Sequence, residues 1–367
     1  MSIAQAVEEV VSKAGWQTKM ANIMDRKRLS RTCGQLYKTC YKFFPSFFKV
    51  PFSVAGKKGN LKLLKRFMKN YFMAETEKEI RKFKADIVIN THFAYIPTLS
   101  HLSQQNKIKF INVVCDPLSI HPLTIAPMAL TNLVYDKKSM EICQKLGVPR
   151  DRITITGWFV RQGFYASATE KKSHLPSILV CGGSEGANAI LKIFPALLSN
   201  RHPLQTIVIC GHNKMLYQGL KLLVKTSKFV NENLRIKILH YPESIIEFIK
   251  ISDLVVGKSG PNLLFETIAA GKPFFGICHI HGQEDGNLEI IKQKNLGFVQ
   301  ENPSRAAKLL RRIIENPKVL KKFSASVAKE GAYNLRSAQV LQSYLAKLSC
   351  STAPATSAPA PAAGKTA

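Results

Sequence analysis

Flexible and polar residues follow an apolar run in the segment 253–287, in the second half of the sequence. Lys258, Ser259 and Gly260 supply a cation, a hydroxyl and a pliable backbone. Pro261 then suits the first position of a helix, and the N–H groups at the start of a helix attract anions. These residues predict a ligand-binding turn at the carboxyl end of a strand, where open α/β sheets bind their ligands.

Glu266 lies on the helix that this turn begins, five residues beyond Pro261. A carboxylate at that position reaches a ribose if the helix axis points at the sugar. The residues leave one alternative equally open, which is a solvated carboxylate on a surface helix.

A second polar group, the loop of residues 281–287, follows the next buried strand. Gln283, Glu284 and Asn287 offer amide and carboxylate groups that together suit the hydroxyls of a sugar. The alternative is an Asx-type helix cap with incidental polar neighbours.

An earlier glycine-rich turn is a further candidate for binding an anion. It follows the apolar run that ends at Cys181, and it consists of Gly182, Gly183, Ser184, Glu185 and Gly186. Its glycines let backbone N–H groups approach a pyrophosphate at the positive end of the following helix. Because ordinary tight turns have the same composition, this pattern gains weight only beside the turn at Lys258.

Apolar runs alternate with segments of helical periodicity, which is typical of βα units around parallel sheets. The first series of predicted strands covers residues 18–24, 86–90, 109–114, 133–135 and 153–156. The second series covers residues 177–181, 206–210, 235–239, 254–256 and 274–278. A turn-rich stretch, 157–176, separates the two series, so we expect domains of residues 1–160 and 161–335.

Helices are predicted between and after these strands. In the second domain they cover residues 187–198, 214–225, 244–251, 261–270, 286–294 and 305–315. A last helix, within residues 336–350, is expected to return to the first domain, and the Pro- and Ala-rich tail 351–367 is expected to be disordered. Residues 3–13 have the apolar face of an amphipathic helix.

The composition indicates an acidic partner. The 367 residues carry 53 Lys and Arg against 24 Asp and Glu, a formal charge of +29, which suits nucleic acid or anionic lipid. No nucleic-acid recognition module accompanies the charge. The eight cysteines include no C-x-x-C pair, so we expect buried thiols in a reducing compartment rather than disulfides or a zinc site.

Residues 1–84 hold nineteen Lys and Arg against six Asp and Glu, and residues 36–52 interleave aromatic side chains with Lys38, Lys42 and Lys49. This pattern favours adsorption to an anionic membrane surface, although the aromatic residues could instead pack under a helix. There is no run of eighteen apolar residues, and Glu8 and Glu9 interrupt any signal-peptide core. We therefore expect a cytoplasmic protein, peripheral on the inner face of the membrane.

Three residues at or just beyond strand ends of the first domain are weak candidates for a catalytic base: His92, Asp116 and His121. His121 has the chemistry of a general base. For each histidine a packed structural role is the alternative that the sequence favours, so the base is left open.

Several motifs resemble one known family in their order and spacing. They are GGSEG at 182–186, ICGHN at 209–213, KSGPNLLFETIAAGKP at 258–273 and GQEDGN at 282–287, with INTHFAYIPTL, VVCDPLSIHP and ITGWFVRQGF upstream. Together they resemble the GT-B glycosyltransferases of family 28, and most closely the monogalactosyldiacylglycerol synthases and bacterial diacylglycerol glucosyltransferases. The resemblance implies two Rossmann-like α/β domains whose parallel sheets face a cleft.

The resemblance also implies roles for residues. It implies that the turn 183–186, with Ser259 and Gly260, contacts the diphosphate of a UDP-sugar donor, and that Glu266 holds the ribose. It assigns the donor sugar to Gln283, Glu284 and Asn287, and places the loop from Gly211 to Asn213 near the uracil. Such enzymes use no metal ion or other cofactor, in agreement with the lack of an Asp-x-Asp motif in this sequence.

The implied activity is transfer of a hexose from a UDP-sugar to a lipid, with diacylglycerol as the first choice of acceptor. A polyprenyl-diphosphate-linked acceptor of UDP-GlcNAc is one alternative, and a non-catalytic nucleotide-sugar-binding subunit is another. The family's first strand and its Gly-rich loop, which carries a histidine, have no counterpart before residues 3–11. A late start, a partner chain that supplies this element, or a degenerate relative would each account for the difference.

Overall fold

The computed structural model describes residues 2–26, 32, 58–165, 175–182, 187–228 and 235–352. They form two α/β domains, each built on a parallel sheet, as predicted. The first domain contains α1 (Ser2–Lys13), α2 (Lys58–Phe83), β1 (Ile87–Asn90), α3 (Ile96–Gln104), β2 (Lys109–Val113), β3 (Asn132–Val134), α4 (Lys137–Lys145) and β4 (Ile153–Ile155). A short helix, α5 (Gln162–Tyr165), follows in the connection to the second domain.

The second domain continues the βα alternation. Its elements are β5 (Ser177–Cys181), α6 (Ala187–Leu198), β6 (Gln205–Ile209), α7 (Lys214–Lys228), β7 (Arg235–Leu239), α8 (Ile246–Ile251), β8 (Leu254–Lys258), α9 (Pro261–Ala269), β9 (Phe274–Cys278), α10 (Asp285–Gln293), β10 (Gly297–Val299) and α11 (Pro303–Glu315). A long final helix, α12 (Ser324–Thr352), begins well before the predicted residue 336.

One predicted strand is wrong. Residues 18–24 form no strand, and of this segment only Ile23 is buried. The backbone N–H of Met24 donates to the hydroxyl of Tyr95 at 2.9 Å, so a side chain anchors the segment instead of a neighbouring strand. Its short apolar pattern resembled a strand, but the half-buried Thr18 and the exposed Lys19 and Asn22 provide no buried face. The sequence interpretation also missed the short edge strand β10.

The order of the strands places a crevice in the second sheet. The first sheet has the order β1-β2-β3-β4, and the second has the order β10-β9-β8-β5-β6-β7. From β5 the chain builds outward through β6 and β7 on one side, and through β8, β9 and β10 on the other. A parallel α/β sheet binds its ligands at such a reversal, outside the carboxyl ends of the strands. Here the reversal lies between β5 and β8.

Aromatic packing joins the two domains. Phe265 on α9 is fully buried, and its ring centroid lies 4.9 Å from Trp158 and 5.0 Å from Tyr135, both outside the second sheet. Helix α12 adds polar contacts, because Tyr333 donates to the carbonyl of Tyr135 at 2.8 Å and Asn334 accepts from the N–H of Trp158 at 2.8 Å. The strand ends of the two sheets are thereby held at a common cleft.

Helix α1 lies against α12. Its predicted apolar face is buried through Ile3, Ala6, Val7 and Val11. The side chain of Gln342 donates to the carbonyl of Val10 at 3.4 Å, so the return helix contacts the first domain here too. No helix among the described residues has the length and apolar character needed to cross a bilayer.

Candidate functional site

The crevice lies where β5 and β8 end side by side. A Cβ at Gly257 would overlap the carbonyl of Cys181, so glycine permits the close approach of the two strands. Gly182 follows β5 and is buried. Gly183, Ser184, Glu185 and Gly186 lie outside the described residues, and their predicted contacts with a diphosphate stay predictions.

The turn after β8 leads directly into α9, as the sequence predicted. Gly260 has an extended backbone at the N-cap, and Pro261 occupies the first turn. The N–H groups of Ser259 and Gly260 donate to the carbonyls of Cys278 and Lys258, each at 2.8 Å. The first-turn N–H groups of a helix have no intrahelical partner, so the amides that follow Pro261 are the ones that this geometry offers to an anion.

Ser259 does not present its hydroxyl to the cleft in this structure. The side chain is fully buried, and its Oγ has no hydrogen-bond partner among the described residues. It lies over Gly276 in β9, where a Cβ would overlap it. The predicted contact of Ser259 with a diphosphate would require a different rotamer, and it stays a prediction.

Glu266 is buried, with 4% of its surface exposed, so the alternative of a solvated carboxylate is wrong. Its carboxylate accepts from the hydroxyl of Ser2 at the start of α1 and from Arg161 Nη2 at 3.0 Å. Burial raises the pKa of Glu266, while Ser2 and Arg161 act to lower it. Three separate segments therefore meet at the position predicted to hold a ribose.

A network of hydrogen bonds and one ion pair holds the polar loop, residues 280–287, to the turn after β8. Lys258 forms an ion pair with Glu284, whose other carboxylate oxygen accepts from the N–H of Ile280 at 2.7 Å. Asn287 is 2% exposed and donates to the carbonyl of Ser259 at 2.8 Å. Glu284 and Asn287 thus fix the shape of the loop, and any contact that they make with a sugar would use their remaining acceptors.

Gln283 faces the first domain across the cleft. Its Nε2 donates to Asp116 Oδ1 at 3.3 Å. Close by, the N–H of Gly286 donates to Ser119 Oγ at 2.8 Å, and a Cβ on Gly286 would lie 2.6 Å from the Cβ of Leu118. Glycine at position 286 therefore lets the first turn of α10 meet the loop 116–119.

Of the three candidate bases, Asp116 accepts a hydrogen bond from a predicted donor-site residue within the described part of the chain. Its carboxyl is buried, and burial raises the pKa of Asp116 to about 7. The amide of Gln283 and the charge of Lys258 partly offset this effect, and the charge of Glu284 adds to it. A carboxyl with a pKa near neutrality suits general base catalysis.

The two histidines make hydrogen bonds to the backbone, and the choice between a structural and a catalytic role stays a prediction. His92 Nδ1 accepts from the N–H of Ala94 at 3.3 Å, and burial lowers the pKa of His92 to about 4. His121 is 6% exposed, and its Nδ1 accepts from the N–H of Leu123 at 3.1 Å. Both rings cap turns of the backbone.

The loop from Gly211 to Asn213 follows β6 at the same edge of the sheet. Gly211 has a φ of +63°, and Asn213 caps α7 by accepting from the N–H of Leu216 at 2.9 Å. Between them, His212 stacks on Tyr241, with ring centroids 4.0 Å apart. Tyr241 is 58% exposed, so the pair presents a flat aromatic surface beside the strand ends.

A histidine and carboxylate cluster lies at the end of β9. His279 bonds Asp285 Oδ1 through Nε2 at 2.8 Å and Glu301 Oε1 through Nδ1 at 2.7 Å, and the ring of His281 is 4.3 Å away. The carboxylates raise the pKa of His279 against the opposing effect of burial.

The sequence interpretation missed Ser2, Arg161, Ser119, Tyr241 and this cluster. The spacing His-x-His before Asp285 was a readable signal. The contacts of Ser2 and Arg161 with Glu266 join residues more than a hundred positions apart, and no local pattern marks them.

Two family models cover most of the chain. Residues 1–160 match the model described as monogalactosyldiacylglycerol (MGDG) synthase, and residues 177–335 match the glycosyltransferase family 28 C-terminal domain. The second of these stretches is therefore similar to glycosyltransferases of family 28, and the curated relatives of the chain include MGDG synthases and a diacylglycerol glucosyltransferase.

Among curated relatives, monogalactosyldiacylglycerol synthase 2 of Arabidopsis thaliana is 24% identical over 263 residues, which are 65% of this chain and 54% of that protein. The processive diacylglycerol beta-glucosyltransferase of Staphylococcus carnosus is 25% identical over 302 residues, which are 80% of this chain and 74% of that protein. The chain spans about half the length of the plant relatives that it matches.

Solved structures show the same fold at low identity. MurG of Acinetobacter baumannii superposes with a TM-score of 0.55 and 16% identity, over 74% of this chain and 77% of that one. Alr3699/HepE of Anabaena, crystallised with UDP, superposes with a TM-score of 0.52 and 14% identity, over 76% of this chain and 82% of that one.

Proposed function

We propose that the protein transfers a hexose from a UDP-sugar to the free hydroxyl of diacylglycerol. The observation that carries the proposal is that polar residues of both domains meet at one cleft. The turn that begins α9 lies at the switch point of the second sheet, the polar loop 280–287 follows the adjacent strand β9 and is bonded to that turn, and Asp116 faces the loop from the first domain.

The donor would lie along the carboxyl ends of β5, β8 and β9. The free amides at the start of α9, together with those of the turn 182–186, would bind the diphosphate, and Glu266 would hold the ribose. The aromatic pair His212 and Tyr241 offers a surface for the uracil, while Gln283, Glu284 and Asn287 would orient the sugar. Amides and a helix dipole aimed at the departing UDP need no metal ion at the diphosphate.

Asp116 would act as the general base. Its carboxylate would take the proton of the acceptor hydroxyl as that oxygen attacks the anomeric carbon, and the bond from this carbon to the UDP oxygen would break. The hydrogen bond to Gln283 supports this assignment, because it places the carboxylate beside a residue proposed to orient the sugar. The raised pKa of Asp116 gives a base of suitable strength near neutral pH.

The acceptor would arrive from an anionic membrane surface. On α2, Leu63 and Phe67 are 71% and 53% exposed, and Lys62 and Arg66 are exposed beside them. Apolar side chains flanked by cations suit the headgroup region of a membrane. The aromatic stretch 36–52 lies outside the described residues, and its membrane contact remains part of the proposal, as does location at the inner face.

The direct test is to incubate purified protein with vesicles that contain diacylglycerol and phosphatidylglycerol, adding UDP-galactose, UDP-glucose or UDP-GlcNAc in turn. Mass spectrometry of the lipids should show a hexosyl-diacylglycerol with one donor. If product forms only when a polyprenyl-diphosphate-linked sugar replaces diacylglycerol, the acceptor is that sugar and not diacylglycerol. Binding of UDP without any transfer would support a non-catalytic nucleotide-sugar-binding subunit.

A further inference from the structure

The cluster at the end of β9 contains a set of metal-ligand types that donor binding does not use. His279, His281 and Asp285 each offer one ligand atom, and these atoms all lie within 4.8 Å of one another. His279 is buried, whereas 53% of the Asp285 side chain is exposed. The cluster therefore has a rigid inner ligand and an outer ligand that an ion can reach from solvent.

Glu301 supplies the contact that usually accompanies a metal-binding histidine. Its Oε1 lies 2.7 Å from His279 Nδ1, on the side of the ring opposite Asp285. A carboxylate in this position fixes the orientation of the ring and leaves Nε2 to face the metal. The carbonyl of Glu301 also accepts from Lys192 at 3.0 Å, so the backbone that carries this carboxylate is itself held.

We propose that His279 Nε2, His281 and Asp285 bind a divalent transition-metal cation of the Zn²⁺ type, with Glu301 as the supporting carboxylate. Two imidazole nitrogens and one carboxylate oxygen suit Zn²⁺ and leave a fourth position for water. Ca²⁺ and Mg²⁺ prefer ligand sets made of oxygen alone.

The geometry needs a modest adjustment to close around an ion. Ligand atoms at zinc distances in a tetrahedral site are about 3.4 Å apart. His279 Nε2 and Asp285 Oδ1, now 2.8 Å apart, would therefore separate slightly, and all three ligand atoms already lie within 4.8 Å of one another. His281 is half-buried in the turn that precedes α10, outside the strands of the sheet. The competing occupant is a proton, since a protonated His279 would bridge the two carboxylates directly.

A bound ion would fasten the polar loop at both ends. Asp285 begins α10 and accepts from the N–H of Gly282 at 2.9 Å, while His279 directly follows β9. The segment between them contains Gln283 and Glu284. This consequence rests on the proposed function, because it predicts tighter donor binding when the ion holds the loop, whereas the metal site itself does not depend on the donor.

The test measures metal binding on tag-free protein stripped with a chelator and then dialysed. Calorimetric titration with ZnCl₂, and metal analysis after a second dialysis, should show one equivalent bound. His281→Ala and Asp285→Asn should each weaken the affinity by at least tenfold, and Glu301→Gln by about ten- to a hundredfold. His202→Gln is the matched control, because this exposed histidine precedes β6 at the opposite edge of the sheet.

A Co²⁺-substituted sample should show the absorption of a four-coordinate site in the wild type and lose it in His281→Ala. The absence of retained metal and of any heat with Zn²⁺ would overturn the site, as would equal affinities in wild type and both ligand variants. Titrating UDP with and without Zn²⁺ then tests whether the bound ion tightens donor binding. Metal binding without any effect on UDP affinity would show that the ion does not hold the loop for donor binding. Absence of UDP binding alone would count only against the proposed function.

Discussion

The two sides of the cleft are built differently. On the side of the second domain, Lys258, Glu284 and Asn287 are already bonded to one another or to the adjoining backbone. On the side of the first domain, Asp116 and Ser119 reach the site through contacts with Gln283 and Gly286 across the cleft. The turn after β8 and the polar loop are therefore held by contacts within the second domain, whereas the positions of Asp116 and Ser119 depend on how the domains meet.

Variants on the two sides of the cleft should therefore differ in the property that they change. Changes on the donor side should act on UDP affinity, and changes on the acceptor side should act on turnover or on the contact between domains.

Asp116→Asn should lower kcat by about 10²- to 10⁴-fold, the usual contribution of a general base, and should leave UDP affinity nearly unchanged. The wild-type enzyme should lose kcat/KM below pH 7, because protonation removes the base form of a carboxyl whose pKa is about 7. At higher pH the rate should level off. Steady-state kinetics from pH 5 to pH 9 checks this.

Asp151→Asn, at an exposed carboxylate before β4, is the control and should behave as wild type. If Asp116→Asn keeps the wild-type kcat and still loses kcat/KM below pH 7, Asp116 is not the base.

Glu266→Gln should weaken UDP binding by about 1.5–3 kcal/mol, or roughly ten- to a hundredfold, because a hydrogen bond to a charged carboxylate is lost. Gln retains the shape of the side chain and a partner for Ser2 and Arg161, so it perturbs packing less than Ala. Calorimetry with UDP provides the measurement. Glu315→Gln on the exposed end of α11 is the control, and equal affinities in both variants would exclude Glu266 from the donor site.

Gly286→Ala should destabilise the contact between domains by about 1–3 kcal/mol, the usual cost of overpacking, since the new methyl group would lie 2.6 Å from Leu118. We expect a lower melting temperature and a lower kcat. Gly219→Ala is the matched control, because a Cβ there meets nothing within 4 Å. Similar behaviour of the two variants would show that the loop 116–119 does not close on α10.

Lys62→Gln and Arg66→Gln should each reduce adsorption to phosphatidylglycerol vesicles by about 1 kcal/mol. UDP binding should not change, because α2 lies in the other domain. Vesicle sedimentation with Arg312→Gln, an exposed cation on α11, supplies the comparison. If the α11 variant loses as much binding as the α2 variants, the membrane surface proposed on α2 is wrong.

Local signals explain what the sequence could predict. Gly260 and Pro261 marked the beginning of α9, and alternating apolar runs marked the two parallel sheets, because both depend on neighbouring residues. The false strand at 18–24 shows the limit of this reasoning, since the end of that segment bonds the side chain of Tyr95, more than seventy positions away, instead of a neighbouring strand. The partners of Glu266 and Asp116 come from distant segments, and only the packed domains bring them together.

The central claim is that the crevice between β5 and β8 binds the diphosphate of a nucleotide-sugar. A crystal structure with UDP tests it most directly. The account predicts density for both phosphates at the start of α9, a ribose at Glu266, and displacement of the hydrogen bond between Ser2 and Glu266. UDP bound elsewhere, with that hydrogen bond intact and the start of α9 empty, would contradict the account.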